Sequence, residues 1–184
     1  MIENVIGKRF AEALSDSITD DTRLKSALEN LGDFDRAFQT DPQLSRFFLN
    51  PSLPEENKEA LAGELCEKFG VEKEVGKLIN MLVKRKKMIY LENIHQYFEN
   101  AVDRRLNQAR VHITSAFPLS KANIESLKSS LSRVLEKNIL IDSKVDESLI
   151  GGIKLNVGGL VADATIKNSL ALLKKAIENE EVIS

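Results

Sequence analysis

The sequence predicts an α plus α/β protein: an N-terminal six-helix bundle over residues 1–107, then a small α/β domain over 108–184 with a β-hairpin and two helices. Three observations predict it. Apolar residues recur at helical spacing in six stretches before about residue 107. The period changes to alternation in "RVHITSAF", residues 110–117. Four of the nine glycines then fall in two adjacent pairs, where a chain that has begun to alternate must reverse.

In the first stretch Val5, Ile6, Phe10, Ala13 and Leu14 share a helix face. "TDDTRLKSALENLGDFDRAF" opens a second helix behind Asp20 or Asp21 as N-cap. The third, "TDPQLSRFFL", has Thr40 or Asp41 as cap and Pro42 in the first turn, where a missing N–H is harmless. In the fourth, Ser52 and Glu55 have capping-box spacing and Gly70 is the C-terminal stop. Its stripe of Leu61, Ala62, Leu65, Cys66 and Phe69 makes the cysteine a buried, inert thiol. The fifth helix, Val71 to about Lys87, carries Val75, Leu78, Ile79 and Leu82, and Met81 and Val83 widen the arc beyond one core contact. The sixth is striped by Leu91, Ile94, Phe98, Val102 and Leu106. Short helices joined by short connections pack as a bundle.

The alternation at 110–117 puts Val111, Ile113, Ser115 and Phe117 on one face of a strand and His112 and Thr114 on the other. A helix capped by Ser120, with Leu119 and Ile124 at staple positions, follows with Ile124, Leu127, Leu131 and Leu135 in register. "ILIDSKV" is a second strand. Asp146 then caps a single helical turn that Gly151 ends in a left-handed conformation. Gly158-Gly159 form a two-residue hairpin turn, so paired residue numbers sum to 317: Ile153, Leu155 and Val157 share a face with Ala164, Ala162 and Leu160, and Lys154 pairs with Asp163. A last helix is striped by Ile166, Leu170, Leu173 and Ile177.

Several function classes are excluded. "GGIKLNVGG" fits neither a dinucleotide fingerprint nor a phosphate-binding loop, so no nucleotide cofactor is expected. His95 and His112 are the only histidines and lack carboxylate or thiolate neighbours at metal-ligand spacing, so no metal is expected. No nucleophile stands beside an oriented base in any known pattern, so catalysis is unsupported. Net charge is -2, without a global basic field for nucleic acid. Cys66 is the only cysteine, which excludes an intrachain disulfide and fits a reducing compartment. "MIENVIGKRF" has Glu3 and Lys8 where a secretory signal needs an apolar core, and no run approaches the ~20 apolar residues of a membrane span. The basic run "KRKK", Lys84 to Lys87, complements the dipole of the fifth helix, or else meets an acidic partner or lipid headgroups.

Four phrases, "GKRFAEAL", "LSRFFLNPSLPEENKEAL", "VHITSAFPLS" and "VDESLIGGIKLNVGGLVAD", occur in the order and spacing of one family. On them the chain resembles the δ subunits of bacterial F-type ATP synthases, whose mitochondrial counterpart is the oligomycin-sensitivity-conferring protein. The resemblance departs at the hairpin, where the family has Gly-Asp for Gly158-Gly159, and before the last helix, where it has Asp-Gly-Ser for Asp163-Ala164-Thr165. It implies a non-catalytic stator subunit without cofactor or metal, at the cytoplasmic face of a bacterial membrane that it meets only through the complex. The N-terminal bundle is implied to take the N-terminal helix of an ATP synthase α subunit between its first and fifth helices, at Arg9, Phe10, Ala13 and Met81. The C-terminal domain is implied to meet the end of the b-subunit stalk. The alternative is a helical adaptor of another complex, binding some other amphipathic helix.

Overall fold

A computed structural model describes residues 2–157 and 160–180, with side chains described for 5–157 and 160–174. The chain divides into two compact units at Leu106 and Asn107. The first is helical: α1 (Ile2–Ser17), α2 (Asp21–Thr40), α3 (Pro42–Leu49), α4 (Glu55–Lys68), α5 (Lys73–Lys84), a 3-10 turn at Met88–Tyr90 and α6 (Leu91–Arg105).

Local chemistry sets most of these boundaries. The Asp20 carboxylate accepts from the Arg23 amide at 2.8 Å and starts α2; Asp41 accepts from Gln43 and Leu44 and starts α3 with Pro42 in its first turn. Gly70 takes φ +60 after α4, and the Gly70 and Val71 amides then reach the carbonyls of Glu67 and Cys66, which closes the helix end. The expected capping box does not form. Pro54 is the residue before α4 and the helix has no side-chain N-cap; Ser52 lies in a turn held by its amide donating to the Asn50 carboxamide oxygen at 2.9 Å. That turn occupies the residues from which a capping serine would have to reach Glu55.

The core of this unit buries Leu24, Leu31 and Phe34 of α2, Val75, Ile79 and Leu82 of α5, and Leu91, Ile94, Phe98 and Val102 of α6. Phe34, Phe38 and Phe47 gather round Phe48, with Phe47 edge-on at 5.7 Å, so Phe48, the second phenylalanine of "RFF", seats the short α3 on α2. Val83, expected to widen the exposed arc of α5, is instead buried. Cys66 is half-buried rather than buried, and desolvation raises its thiol pKa, which keeps it protonated and a poor nucleophile.

The second unit is a four-stranded sheet with helices: β1 (Gln108–Ser115), α7 (Lys121–Leu135), β2 (Asn138–Val145), a 3-10 turn at Glu147–Leu149, β3 (Gly152–Val157), β4 (Leu160–Thr165) and α8 (Ile166–Glu180). Strand order is β2-β1-β3-β4; β1 and β2 are parallel and the other pairs antiparallel. A parallel neighbour requires a crossover, and α7 supplies it. Ser120 caps α7 through the Asn123 amide, and Leu127, Leu131 and Leu135 pack on the buried Val111, Ile113 and Ile139. Lys154 pairs with Asp163 and Leu155 with Ala162, the register expected from the hairpin; the Gly158-Gly159 turn itself lies outside the described residues, as does the side chain of Ile177.

Two details of this unit differ from expectation. β1 ends at Ser115, so Phe117 lies beyond the strand at 71% exposure while Ala116 is buried. Gly151 does not take the left-handed conformation; the positive φ falls instead on Ile150, at φ 63 and ψ -44, where the Gly151 amide donates to the Leu149 carbonyl, and on Gly152 at φ +86. The glycine pair is used for close approach instead. A Cβ on Gly151 would lie 2.6 Å from Ile166 Cδ1, and one on Gly152 would lie 2.3 Å from the Ala164 carbonyl oxygen. The reversal therefore falls one residue earlier, on a β-branched residue that is strained there.

Candidate functional site

The helical unit carries an open groove of about 290 Å³ between α1 and α5. Phe10, Ala13, Leu14 and Ser17 form one wall and Glu74, Lys77, Leu78 and Met81 the other. Both sets follow the same i, i+3, i+4, i+7 spacing, so each wall is one helical ridge. Leu14 and Leu78 are buried and form the floor; Phe10 is half-buried, Ala13 is exposed, and Met81 is 43% exposed. Three of the four residues singled out in the sequence, Phe10, Ala13 and Met81, thus meet at this groove. Arg9 does not line it: it is exposed on α1, next to Phe10 and one turn before Ala13.

Polar ties hold the two ridges in place. The Arg105 guanidinium in the last turn of α6 donates to the carbonyls of Ser15, Ile18 and Thr19, closing the C-terminal end of α1 from outside. Helix α5 has no side-chain N-cap of its own. Its start is fixed from α2: the Asn30 side-chain oxygen accepts the Glu72 amide at 2.9 Å, and Arg23 Nη2 contacts Glu72 Oε2 at 2.9 Å and Glu74 Oε2 at 2.8 Å. These carboxylates, Glu72 first, hold the Arg23 guanidinium further in its charged form. At the other end of α5, Lys86 adopts φ 55 and the Lys87 amide donates to the Leu82 carbonyl at 2.8 Å.

The basic run is accounted for in part by structure. Lys84 pairs with Glu59 at 3.4 Å and Lys86 with Glu55 at 3.0 Å, both on α4, and Lys87 Nζ lies 5.4 Å from the centroid of the Tyr90 ring. Both ion pairs are largely solvated and so contribute about 0–1 kcal/mol each.

Neither histidine has the surroundings of a metal ligand. His95 Nδ1 lies 2.9 Å from the buried Asp35 and ties α6 to α2; His112 Nδ1 lies 3.2 Å from Asp142 on the open face of the sheet. Among the described residues, no group of three or more His, Cys, Asp or Glu is placed to hold a metal ion, and no helix is long and apolar enough to cross a membrane. The arrangement offers two facing ridges over an apolar floor that is open to solvent.

Two features escaped the sequence. A second hollow of about 240 Å³ lies among Phe38, Leu49, Met88, Ile89 and Glu92; the run "KMIY" was its only signal. In the second unit, Leu160, Val161, Ile166, Leu170 and Leu173 are exposed on β4 and α8, with Leu160 at 80%. The stripe on α8 had been legible, but not that it stays uncovered.

These geometries have counterparts among known proteins. Residues 6–177 match the family model described as ATP synthase delta (OSCP) subunit. Proteins named ATP synthase subunit delta align over nearly the whole chain. That of Syntrophobacter fumaroxidans is 28% identical over 174 residues, covering 95% of this chain and 95% of that one. The Myxococcus xanthus protein is 27% identical over 180 residues, covering 97% and 99%. A chain in the solved Toxoplasma gondii mitochondrial ATP synthase hexamer superposes with a TM-score of 0.69 at 20% identity, covering 93% of this chain and 96% of that one, which shows the shared fold. A helical part followed by a small four-stranded sheet with helices, matched over residues 6–177, is the pattern of one family: the chain belongs to the ATP synthase delta (OSCP) subunit family.

Proposed function

We propose that this chain is a non-catalytic stator subunit whose six-helix N-terminal bundle, residues 1–107, holds the catalytic head and whose C-terminal domain, residues 108–184, meets the b-subunit stalk. Membership of the family makes it a component of the peripheral stalk of an F-type ATP synthase. The observation that carries the finer reading is the groove between α1 and α5, an apolar channel open to solvent and walled by two parallel-spaced ridges. Its occupant in this reading is the amphipathic N-terminal helix of an α subunit. Phe10, Ala13 and Met81 contact the helix, and Arg9 stands at the edge.

The mechanism follows from the load. Rotation of the central shaft drags the head round, and the stator must resist without turnover of its own. A helix seated in a groove suits this, because several apolar anchors must leave together before the contact fails. The exposed apolar residues of β4 and α8 are the proposed contact with the b-subunit end. The protein would sit at the cytoplasmic face of the bacterial membrane through the complex alone.

The test is reconstitution. Membranes and F1 prepared without this subunit should recover coupled ATP synthesis when the purified chain is added, and α and b subunits should co-purify with it. Recovery of coupling by a Met81→Glu variant at the wild-type concentration would place the head contact elsewhere.

A further inference from the structure

Charge around the α1/α5 groove is unevenly spent. Among the described residues Glu74 is the only acid lining it, and Arg23, which also contacts Glu72 at 2.9 Å, holds that carboxylate at 2.8 Å. Lys77 is the only cation lining it, is exposed, and makes no ion pair with any described residue. On the outer edge of α1, Lys8 and Glu12 satisfy each other at 3.8 Å. Arg9 and Arg85 are exposed and make no ion pair with any described residue; on α1 Asp16 is the one acid without an ion pair among the described residues.

The two helices also have a defined sense. α1 ends at Ser17, α2 begins at Asp21, and Arg23 in the first turn of α2 grips Glu74 in the first turn of α5. The end of α1 therefore lies with the start of α5, so Ser17, Asp16 and Glu74 mark one end of the groove. Phe10, Met81, Arg9 and Arg85 mark the other. The free cations sit at the middle and at this second end.

We propose that the groove selects an amphipathic helix by its flanking charge as well as by its apolar stripe: Lys77 receives a carboxylate of the incoming helix, and Arg23, shared between Glu72 and Glu74, is the positioning residue that holds the Glu74 carboxylate in an ion pair and so weakens its repulsion of that carboxylate. The selection rests on the docking role proposed above. Without Arg23, Glu74 would face the same incoming carboxylate and cancel the preference. A pair at a groove edge contributes little to affinity in high salt but acts on encounter and on the choice between partners.

The experiment titrates the full chain with three synthetic peptides of about 18 residues, five helical turns, sharing one apolar stripe and differing only in Glu, Gln or Lys at the stripe's flanks. At roughly 10 mM salt, where charges act over about 30 Å, the Glu peptide should bind two- to tenfold more tightly than the Lys peptide, and about 1 M salt should abolish the difference. Lys77→Glu should invert the order, and Arg23→Gln should flatten it, with unfolding midpoints recorded for both so that a lost fold is not read as lost selection. An order that Lys77→Glu leaves unchanged, or equal binding of all three peptides at low salt, overturns the charge selection while leaving the groove a docking site. Failure of every peptide to bind overturns the docking reading and this inference with it.

Discussion

Arg105 Nη1 lies 3.1 Å from the Ser15 carbonyl oxygen, joining the last turn of α6 to the last turn of α1 across 90 residues of sequence. The same guanidinium reaches Ile18 and Thr19 and pairs with Asp21 at 3.3 Å. It thereby ties down the last turn of α1, the helix that forms one wall of the groove, together with the two residues that follow it. Arg105→Met should lower the stability of the helical unit by about 2–3 kcal/mol, because hydrogen bonds from a charged donor contribute about 1.5–3 kcal/mol and the site is only partly screened. Arg105→Lys should recover less than half, since a single ammonium cannot span three carbonyls. Urea unfolding of both variants checks this.

Two glycines should respond oppositely to the same change. Gly152 has φ +86, and a Cβ there would collide with the Ala164 carbonyl at 2.3 Å, so Gly152→Ala should destabilise the C-terminal unit by about 3 kcal/mol or more. Gly63 lies inside α4 with nothing within 4 Å of its added Cβ, so Gly63→Ala should stabilise by about 0.4–1 kcal/mol. Thermal unfolding of the two variants distinguishes space from strain.

The Asp163 carboxylate accepts from the Thr165 hydroxyl at 2.6 Å and from the Thr165 amide at 3.0 Å, and these bonds, with Lys154 opposite, hold its pKa below the ordinary carboxylate value. The folded pKa is the lower one, so this contribution is complete above the unfolded value of about 3.9 and is lost as pH falls through it and below the folded value. Carbon-detected NMR titration should place the Asp163 midpoint below about 3.9, and Thr165→Val should raise it. The same substitution removes the N-cap that Thr165 gives α8 through the Asn168 amide at 3.2 Å, at about 1 kcal/mol.

Legibility in the sequence tracks distance along the chain. Asp20, Asp41 and Ser120 cap their helices through amides two or three residues away, and Gly70 stops α4 within its own turn; such signals need no tertiary knowledge. The hairpin register was legible because one turn position fixes every pair after it. The Ser52 box failed because the helix starts only after Pro54, which takes the capping position, while Ser52 is held in the turn that Asn50 makes. Met81 and Val83 looked alike on the helix projection, yet only Met81 stayed exposed, because which edge of a wide arc is covered depends on where the other helices lie. The Arg23–Glu74 and Asp35–His95 pairs lie 51 and 60 residues apart, and the buried Lys58, whose ammonium donates to the Asn50 carbonyl at 2.6 Å, reads in sequence as one more solvated charge.

The most direct test of the central claim is calorimetric titration of the full chain with a peptide of the source organism's own α-subunit N-terminus, in wild type and in the Phe10→Asp and Met81→Glu variants. Burial of two apolar anchors at about 1.5–3 kcal/mol each predicts saturable one-to-one binding that either variant weakens by about tenfold or more, with Met81→Glu keeping the wild-type unfolding midpoint because its side chain is already open to water. Binding of unchanged affinity in both variants, or no saturable binding to the wild-type chain, would contradict the account.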